Sequence, residues 1–427
     1  MKLWQKGSTA HEKVDLFTVG KDREYDLVLA KYDCQASIAH AEMLSKIGII
    51  SSLEAKKLTQ TLIEIESQAK KGDFTIENEF EDMHSKIEYL LIQNLGDLGK
   101  KIHTARSRND QILVAMHLYL KYELSEIKNQ VKEIFEILLS LAEKHQKKLL
   151  PGYTHLQLAM PSSFGLWFSA YAESLIDDLY FLQGAYNIAD QNPLGSAAGY
   201  GSAFPIDRKF TTESLGFSEL KVNSVAAQMG RGKLEKSTAI AISSIGSTLS
   251  KLSMDICLYM GKNFNFISFP DNLTTGSSIM PHKKNPDLFE LVRGKCNSLE
   301  ALPNQLTLLT TNLPSGYHRE LQLTKGPIID AIQEIKSCLE ILVFSLPNIK
   351  VKKNITNLNI YDELFTVDTL NQEVLDGKPF RDAYRELGSA VEKNTFKPNR
   401  DVKHSHIGSI GNLGLDIIRK KMENHFS

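Results

Sequence analysis

The sequence predicts an all-α fold, and three features of it carry that prediction. From Ile112 to Leu150 no glycine or proline interrupts a stripe of Met116, Leu120, Leu124, Ile127, Val131, Ile134, Leu138 and Leu141, spaced in steps of three and four. Lys233 to Met260 repeats the pattern with small and apolar residues, Ala239, Ile240, Ile242, Ile245, Leu249, Leu252 and Ile256. No alternating pattern longer than a few residues marks a strand. A helix of about forty residues is ~60 Å long. It needs partners along its whole length, in a bundle or coiled coil.

Composition narrows the function classes. The chain has 427 residues, 42% of them hydrophobic, enough for two or three domains around a large core. A formal net charge of −1 gives no electrostatic case for nucleic acid or an acidic membrane surface. The segment Met1–Gly7 lacks the apolar run of a secretory signal, and Lys251 and Asp255 interrupt the most apolar stretch, Ala239–Met260. Cys34, Cys257, Cys296 and Cys338 lie far apart with no C-x-x-C pair, which suits free thiols in a reducing cytoplasm.

In chain order, Ala36–Ile47 and Ser52–Gln68 read as helices, the second capped by Ser51 or Ser52. Glu81, Asp82 and His84 could ligate a metal, but acids at a helix start are better explained by the helix dipole. The polar block Gly99–Gln111 precedes the long helix. Its arginines and amides at a helix N-terminus suit carboxylate recognition. Pro151–Pro161 is a second polar node with one histidine, His155, and helix resumes over Ser162–Ala189. The glycine-rich run from Asn192 to Pro205 has neither a preceding strand nor a following G-K-[ST], so a nucleotide loop is not expected.

The segment Thr275–Pro286 sets Ser277, Ser278, Lys283, Lys284 and Asn285 between two turns, a composition able to wrap a small anion. Ile279 and Met280 in its middle are expected to tack it to a core. Leu288–Thr311 reads as one helical stretch, Leu313–Lys325 as a fourth polar node, and Ile328–Leu346 as helix. Beyond residue 349 the segments are shorter and more charged. His404 and His406 there read as part of a solvated loop. A boundary near residue 349 and the onset of the long helix divide the chain into 1–104, 105–349 and 350–427.

Gly276, Ser277, Ser278, Pro281, Lys283, Asn285 and Pro286 fill every fixed position of G-S-S-x-x-P-x-K-x-N-P, and the segment therefore resembles the signature of the fumarase/aspartase superfamily. Within it, His103-Thr104-x-Arg106-Ser107-Arg108-Asn109-Asp110-Gln111 and Pro151-Gly152-Tyr153-Thr154-His155-Leu156-Gln157 resemble the argininosuccinate lyase family. The resemblance implies three mostly helical domains, whose central bundles join into a multi-helix core in a homotetramer with active sites shared between subunits.

It also implies reversible elimination of arginine from argininosuccinate to leave fumarate, with no metal and no organic cofactor. By the same resemblance Ser277 is the base, with Ser278 left open as the alternative. Lys283 and Asn285 hold the doubly negative aci-carboxylate. His155 is the acid or proton relay, oriented by Glu290. Ser107, Arg108, Asn109, Thr154, Tyr317, Gln322 and Lys325 bind the substrate.

The chain departs from that family in four places. The acid usual beside Arg231 is missing from Gln228–Lys233. An N-terminal serine motif is replaced by Val19–Glu24. His282 stands where glutamine is common, a feature of adenylosuccinate lyases, and Ala105 replaces a usual glycine. Adenylosuccinate lyase or another fumarate-releasing lyase is the nearest competing expectation. A catalytically inactive structural relative is the competitor of another class.

Overall fold

The computed structural model describes residues 11–426; the Met1–Gly7 segment lies outside them. Among the described residues, sixteen α-helices account for most of the fold. They are α1 (Glu12–Val19), α2 (Asp22–Lys46), α3 (Ser52–Lys71), α4 (Met83–Leu95), α5 (Asp97–Lys100), α6 (Arg108–His145), α7 (Phe164–Ala189) and α8 (Arg208–Ser214). The remainder are α9 (Ser224–Met229), α10 (Lys233–Met260), α11 (Asp287–Leu299), α12 (Leu302–Thr310), α13 (Lys325–Ser345), α14 (Thr366–Leu375), α15 (Phe380–Glu392) and α16 (Leu415–Glu423).

The chain divides into two compact units. Among the described residues, the first comprises 11–127, Tyr180–Ser244 and Ser298–Glu334; the second comprises Lys128–Leu179, Ile245–Asn297 and 335–426.

Helix α6 has 38 residues, and every member of its expected stripe is buried. Residues 110–120 are buried all round, as in an inner helix of a core. In the second unit α10 approaches α11 closely: a Cβ on Gly246 would meet the Cys296 carbonyl oxygen at 3.3 Å. Within the single chain α10 is not covered on every side. Lys233, Ile240, Ser247 and Met254 form an exposed stripe at heptad spacing.

Helix α3 carries a complete capping box, with Ser51 accepting the Glu54 N–H and Glu54 accepting the Ser51 N–H. The stretch expected as one helix over 288–311 is two, α11 and α12, because Pro303 near the start of α12 removes a backbone donor.

The helical architecture carries one short hairpin that no alternating pattern signalled. Leu149–Thr154 (β1) and Gln157–Ser163 (β2) form an antiparallel hairpin in the second unit. Pro151, Gly152 and Pro161 hid it, because they break the alternation that marks a strand. The register shifts between Pro151 and Tyr153, around Gly152, where a Cβ would lie 2.6 Å from the Met160 carbonyl oxygen. Two-residue pairings join β3 (Gln191–Asn192) to β4 (Glu219–Leu220) and β5 (Ile267–Ser268) to β6 (Lys350–Val351). Among the described residues no helix is long and apolar enough to cross a membrane. The four cysteines are free thiols, three of them buried.

Candidate active site

The candidate residues fall in three places, a cavity of the first unit and, in the second, the 275–286 loop and the tip of the β1–β2 hairpin. In the first unit a cavity of about 140 Å³ is lined by Arg108, Asn109, Arg231, Tyr317, Gln322 and Lys325 together with Asp22, Asp26, Glu81 and Asp82. Arg108 opens α6 and donates to Glu81 Oε2 at 2.7 Å, with Asp82 Oδ2 at 3.2 Å. Arg319 Nη2 reaches Glu81 Oε1 at 3.3 Å. Asp82 caps α4 by accepting the Ser85 N–H at 2.8 Å, which is the helix-start role expected for it.

Glu81 and Asp82 are thus engaged by protein donors, and His84 faces Asp33 at 3.0 Å. Burial works against a charge on His84, but Asp33 and Asp82 outweigh it and raise its pKa.

Lys325, the first residue of α13, is buried between two carboxylates one helical turn apart on α2. Its Nζ lies 2.7 Å from Asp22 Oδ1 and 2.5 Å from Asp26 Oδ1. Burial alone would lower the ammonium pKa; Asp26 and Asp22 hold it above the ordinary value. Gln322 and Arg319 both donate to the Thr18 carbonyl at the end of α1. The Arg231 guanidinium stands 5.2 Å from the centre of the Tyr317 ring, a cation–π contact.

Ser107 does not line this cavity. Its hydroxyl accepts the Asn109 N–H at 3.3 Å and its own N–H donates to Asp110 Oδ1 at 3.0 Å, so it closes the turn that starts α6. Ala105 in that turn has φ +63°, a left-handed conformation that glycine would adopt without strain. Asp110 also accepts the Gly195 and Ala197 N–H groups at 3.1 and 3.0 Å. Those two donors of the glycine-rich run are spent on a protein carboxylate rather than on phosphate.

In the second unit, the segment Thr275–Pro286 is a loop closed at its base. Thr275 and Asn285 exchange backbone hydrogen bonds, Asn285 N to Thr275 O at 2.8 Å and Thr275 N to Asn285 O at 3.3 Å. Asn285 Nδ2 also donates to the Gly276 carbonyl at 3.3 Å. Inside the loop Ser277 Oγ accepts the Met280 N–H at 3.1 Å and the Ile279 N–H at 3.4 Å.

Ile279 is 83% exposed, so the apolar pair does not tack the loop to a core. The Thr275–Asn285 bridge anchors it instead, aided by Thr275 to Asp287 and Lys284 to Asp271 contacts. An open cleft of about 830 Å³ is lined by Met280, His282, Lys283, Asn285, Asp287 and Glu290 among others.

His155 and Leu156 form the tip of the β1–β2 hairpin, a two-residue turn with φ +54° and +59°. Positive φ at both positions is the type I′ geometry, usually filled by Asn-Gly. A histidine and an exposed leucine hold that conformation here, at a cost in backbone strain that Asn-Gly would not carry. Thr154 closes β1 beside it. Among the described residues no hydrogen bond or ion pair joins His155 to Glu290, which sits in the first turn of α11.

Comparison with known proteins decides the family. A family model described as Lyase matches residues 12–299. The chain is 50% identical to the argininosuccinate lyase of Phocaeicola vulgatus, over 99% of this chain and 94% of that one. It is 51% identical to that of Parabacteroides distasonis, over 99% and 95%. The chain belongs to the argininosuccinate lyase family.

A more distant member, from Xanthomonas campestris, is 38% identical over 99% of this chain and 98% of its own. The fold is shared with solved structures of an EDDS lyase variant with bound fumarate (TM-score 0.77, 20% identity, 99% of this chain and 90% of that one). It is shared also with a class II fumarase from Schistosoma mansoni (TM-score 0.73, 18% identity, 96% and 95%). At such identities the likeness is one of fold.

For a member of the argininosuccinate lyase family, sequence reasoning missed Asp22, Asp26 and Arg231 in the cavity. The i, i+4 spacing of the two aspartates at a helix start was visible, but their meeting with Lys325 was not.

Proposed function

We propose that this chain is an argininosuccinate lyase, cleaving argininosuccinate reversibly to L-arginine and fumarate, the last step of arginine biosynthesis. The observation that carries the reading is the built environment of Ser277. A serine has no basicity at neutral pH unless its deprotonated form is stabilised. Two N–H groups converging on Oγ favour that form. Ser278 is exposed and accepts no such pair among the described residues, which supports Ser277 over Ser278 as the base.

In the forward direction Ser277 Oγ removes the proton from the carbon next to the succinyl carboxylate, giving an aci-carboxylate. Lys283 and Asn285 take its developing charge. The carbon–nitrogen bond then breaks as His155 delivers or relays a proton to the departing guanidino nitrogen, and fumarate and arginine separate. Glu290 orients and charges His155. Arg108, Asn109, Thr154, Tyr317, Gln322 and Lys325 bind the substrate, and Ser107 acts by setting the turn that presents Arg108 and Asn109.

We further propose that the enzyme is a cytoplasmic homotetramer with each active site drawing its regions from three copies. Two features support this. The exposed heptad stripe of α10 calls for a partner helix, and Ala170, Asp177 and Gly184 give α7 a similar open stripe of mostly small residues. The absence of a His155–Glu290 contact within a chain fits a pairing made between copies.

Fumarate release, followed by ultraviolet absorbance, tests the reading with argininosuccinate, adenylosuccinate and aspartate offered in parallel. Turnover of argininosuccinate alone is expected. Preference for adenylosuccinate would make His282, which lines the cleft, the decisive residue. No turnover from a folded oligomer would point to an inactive relative.

A further inference from the structure

In the cavity of the first unit, three of the four carboxylates are fully engaged by the protein. Asp26 gives Oδ1 to Lys325 and Oδ2 to the Met83 N–H at 3.0 Å. Glu81 holds Arg108 with one oxygen and Arg319 with the other. Asp82 gives one oxygen to the start of α4 and the other to Arg108. Asp22 differs from these. Its Oδ1 takes Lys325, and among the described residues no donor meets its Oδ2.

Asp22 is also more open than its neighbour, with 18% of its side chain exposed against 1% for Asp26. Lys325 between two carboxylates leaves a net charge of −1 at this end of the cavity, and the unfilled acceptor belongs to Asp22. Burial raises the Asp22 pKa despite Lys325, so its carboxylate is short of compensating donors. A cationic N–H donor is the group that completes it.

We propose that Asp22 receives the α-ammonium group of the arginine half of the substrate and sets the preference for an amino acid at that end. This rests on the cleavage of argininosuccinate argued above, whose substrate carries that ammonium. Arg231, which lines the same cavity beside the Tyr317 ring, is the cation placed for the neighbouring α-carboxylate. The segment in which Asp22 replaces the family's serine motif therefore alters the chemistry of the site and not only its outline.

The test compares L-arginine with 5-guanidinopentanoate, which lacks only the α-ammonium group, by titration calorimetry against wild-type, Asp22→Asn and Asp22→Glu proteins. KM values for arginine and fumarate are measured alongside in the synthesis direction. Wild-type protein is expected to bind arginine about 10- to 100-fold more tightly than the analogue, the size of one charge-assisted hydrogen bond. Asp22→Asn should erase that ratio while the fumarate KM stays within about twofold, and Asp22→Glu should recover part of it.

A wild type that binds the two alike overturns the proposal, as does an Asp22→Asn protein that weakens both equally. The second outcome would leave Asp22 a mere brace for Lys325. The binding ratio needs no turnover, so a failure to release fumarate counts against the proposed function alone.

Discussion

The hydroxyl oxygen of Ser277 accepts the backbone N–H of Met280 at 3.1 Å, three residues further along the same loop. Neighbouring Ser278 makes no comparable bond and is exposed. The two serines, equivalent on paper, are therefore chemically distinct. Ser277→Ala is expected to lower kcat by at least about 1,000-fold, with substrate still bound within a fewfold of wild type. Ser278→Ala should cost less than about tenfold. Stopped-flow absorbance for turnover and calorimetry for binding check both, and near-normal rates in Ser277→Ala would move the base elsewhere.

The hairpin tip offers a clean substitution, because asparagine tolerates the left-handed backbone that His155 adopts. His155→Asn should keep the thermal midpoint within a few degrees while kcat falls about 100- to 10,000-fold. Mixing His155→Asn chains with Ser277→Ala chains and re-forming oligomers should restore part of the activity, since some mixed sites then receive neither lesion. No recovery from mixed oligomers would place both residues in one chain's site.

How far the fold could be read differs by element, for physical reasons. The α6 stripe was legible because one apolar face over 38 residues is a strong periodic signal. The β1–β2 hairpin was not, since Pro151, Gly152 and Pro161 mask its alternation and only cross-strand pairing reveals it. In the 275–286 loop the residue types could be read as chemistry, but the outward turn of Ile279 depends on the Thr275–Asn285 bridge, ten residues apart in sequence. Lys325 could be picked out as a binding residue. Its clamp by Asp22 and Asp26 joins segments about 300 residues apart, which no local pattern encodes. His404, expected in a solvated loop, is tied to Asp368 of α14 at 2.6 Å for the same long-range reason.

Stability should fall on mild acidification, and His117 is one cause. It is fully buried in α6, with Nδ1 donating to the Ala189 carbonyl at 2.9 Å, and burial brings its pKa down from 6.5 to about 4. The unfolded chain therefore takes up a proton near pH 6.5 that the folded chain refuses until near pH 4. Between those values the unfolded state binds more protons, so stability falls as pH falls. The full contribution is about 3 kcal/mol. His40, brought down to about 3 by burial and by Arg106, acts in the same direction and over a wider window. Urea midpoints across pH 4–7 should decline accordingly, and His117→Gln should flatten part of the slope; an unchanged slope would remove His117 from the account.

The acid that the family resemblance leads one to expect beside Arg231 cannot be introduced by substitution alone. Gly232 holds φ +86°, and a Cβ there would lie 2.6 Å from Thr310 Cγ2 on α12. Its N–H donates to Glu235 Oε2 at 2.6 Å, fixing the start of α10. Arg231 already lies in the field of buried Glu235 and of Asp22, so this chain supplies negative charge to it from α10 and α2 instead. Gly232→Asp is expected to destabilise by about 2–4 kcal/mol, from left-handed strain and the clash together. Adding Thr310→Ala should recover the clash but not the strain, roughly half of the loss. Denaturant midpoints of the single and double variants measure the split. A Gly232→Asp protein as stable as wild type would show that the α9–α10 turn can be rebuilt, and that the glycine answers to something other than space and backbone geometry.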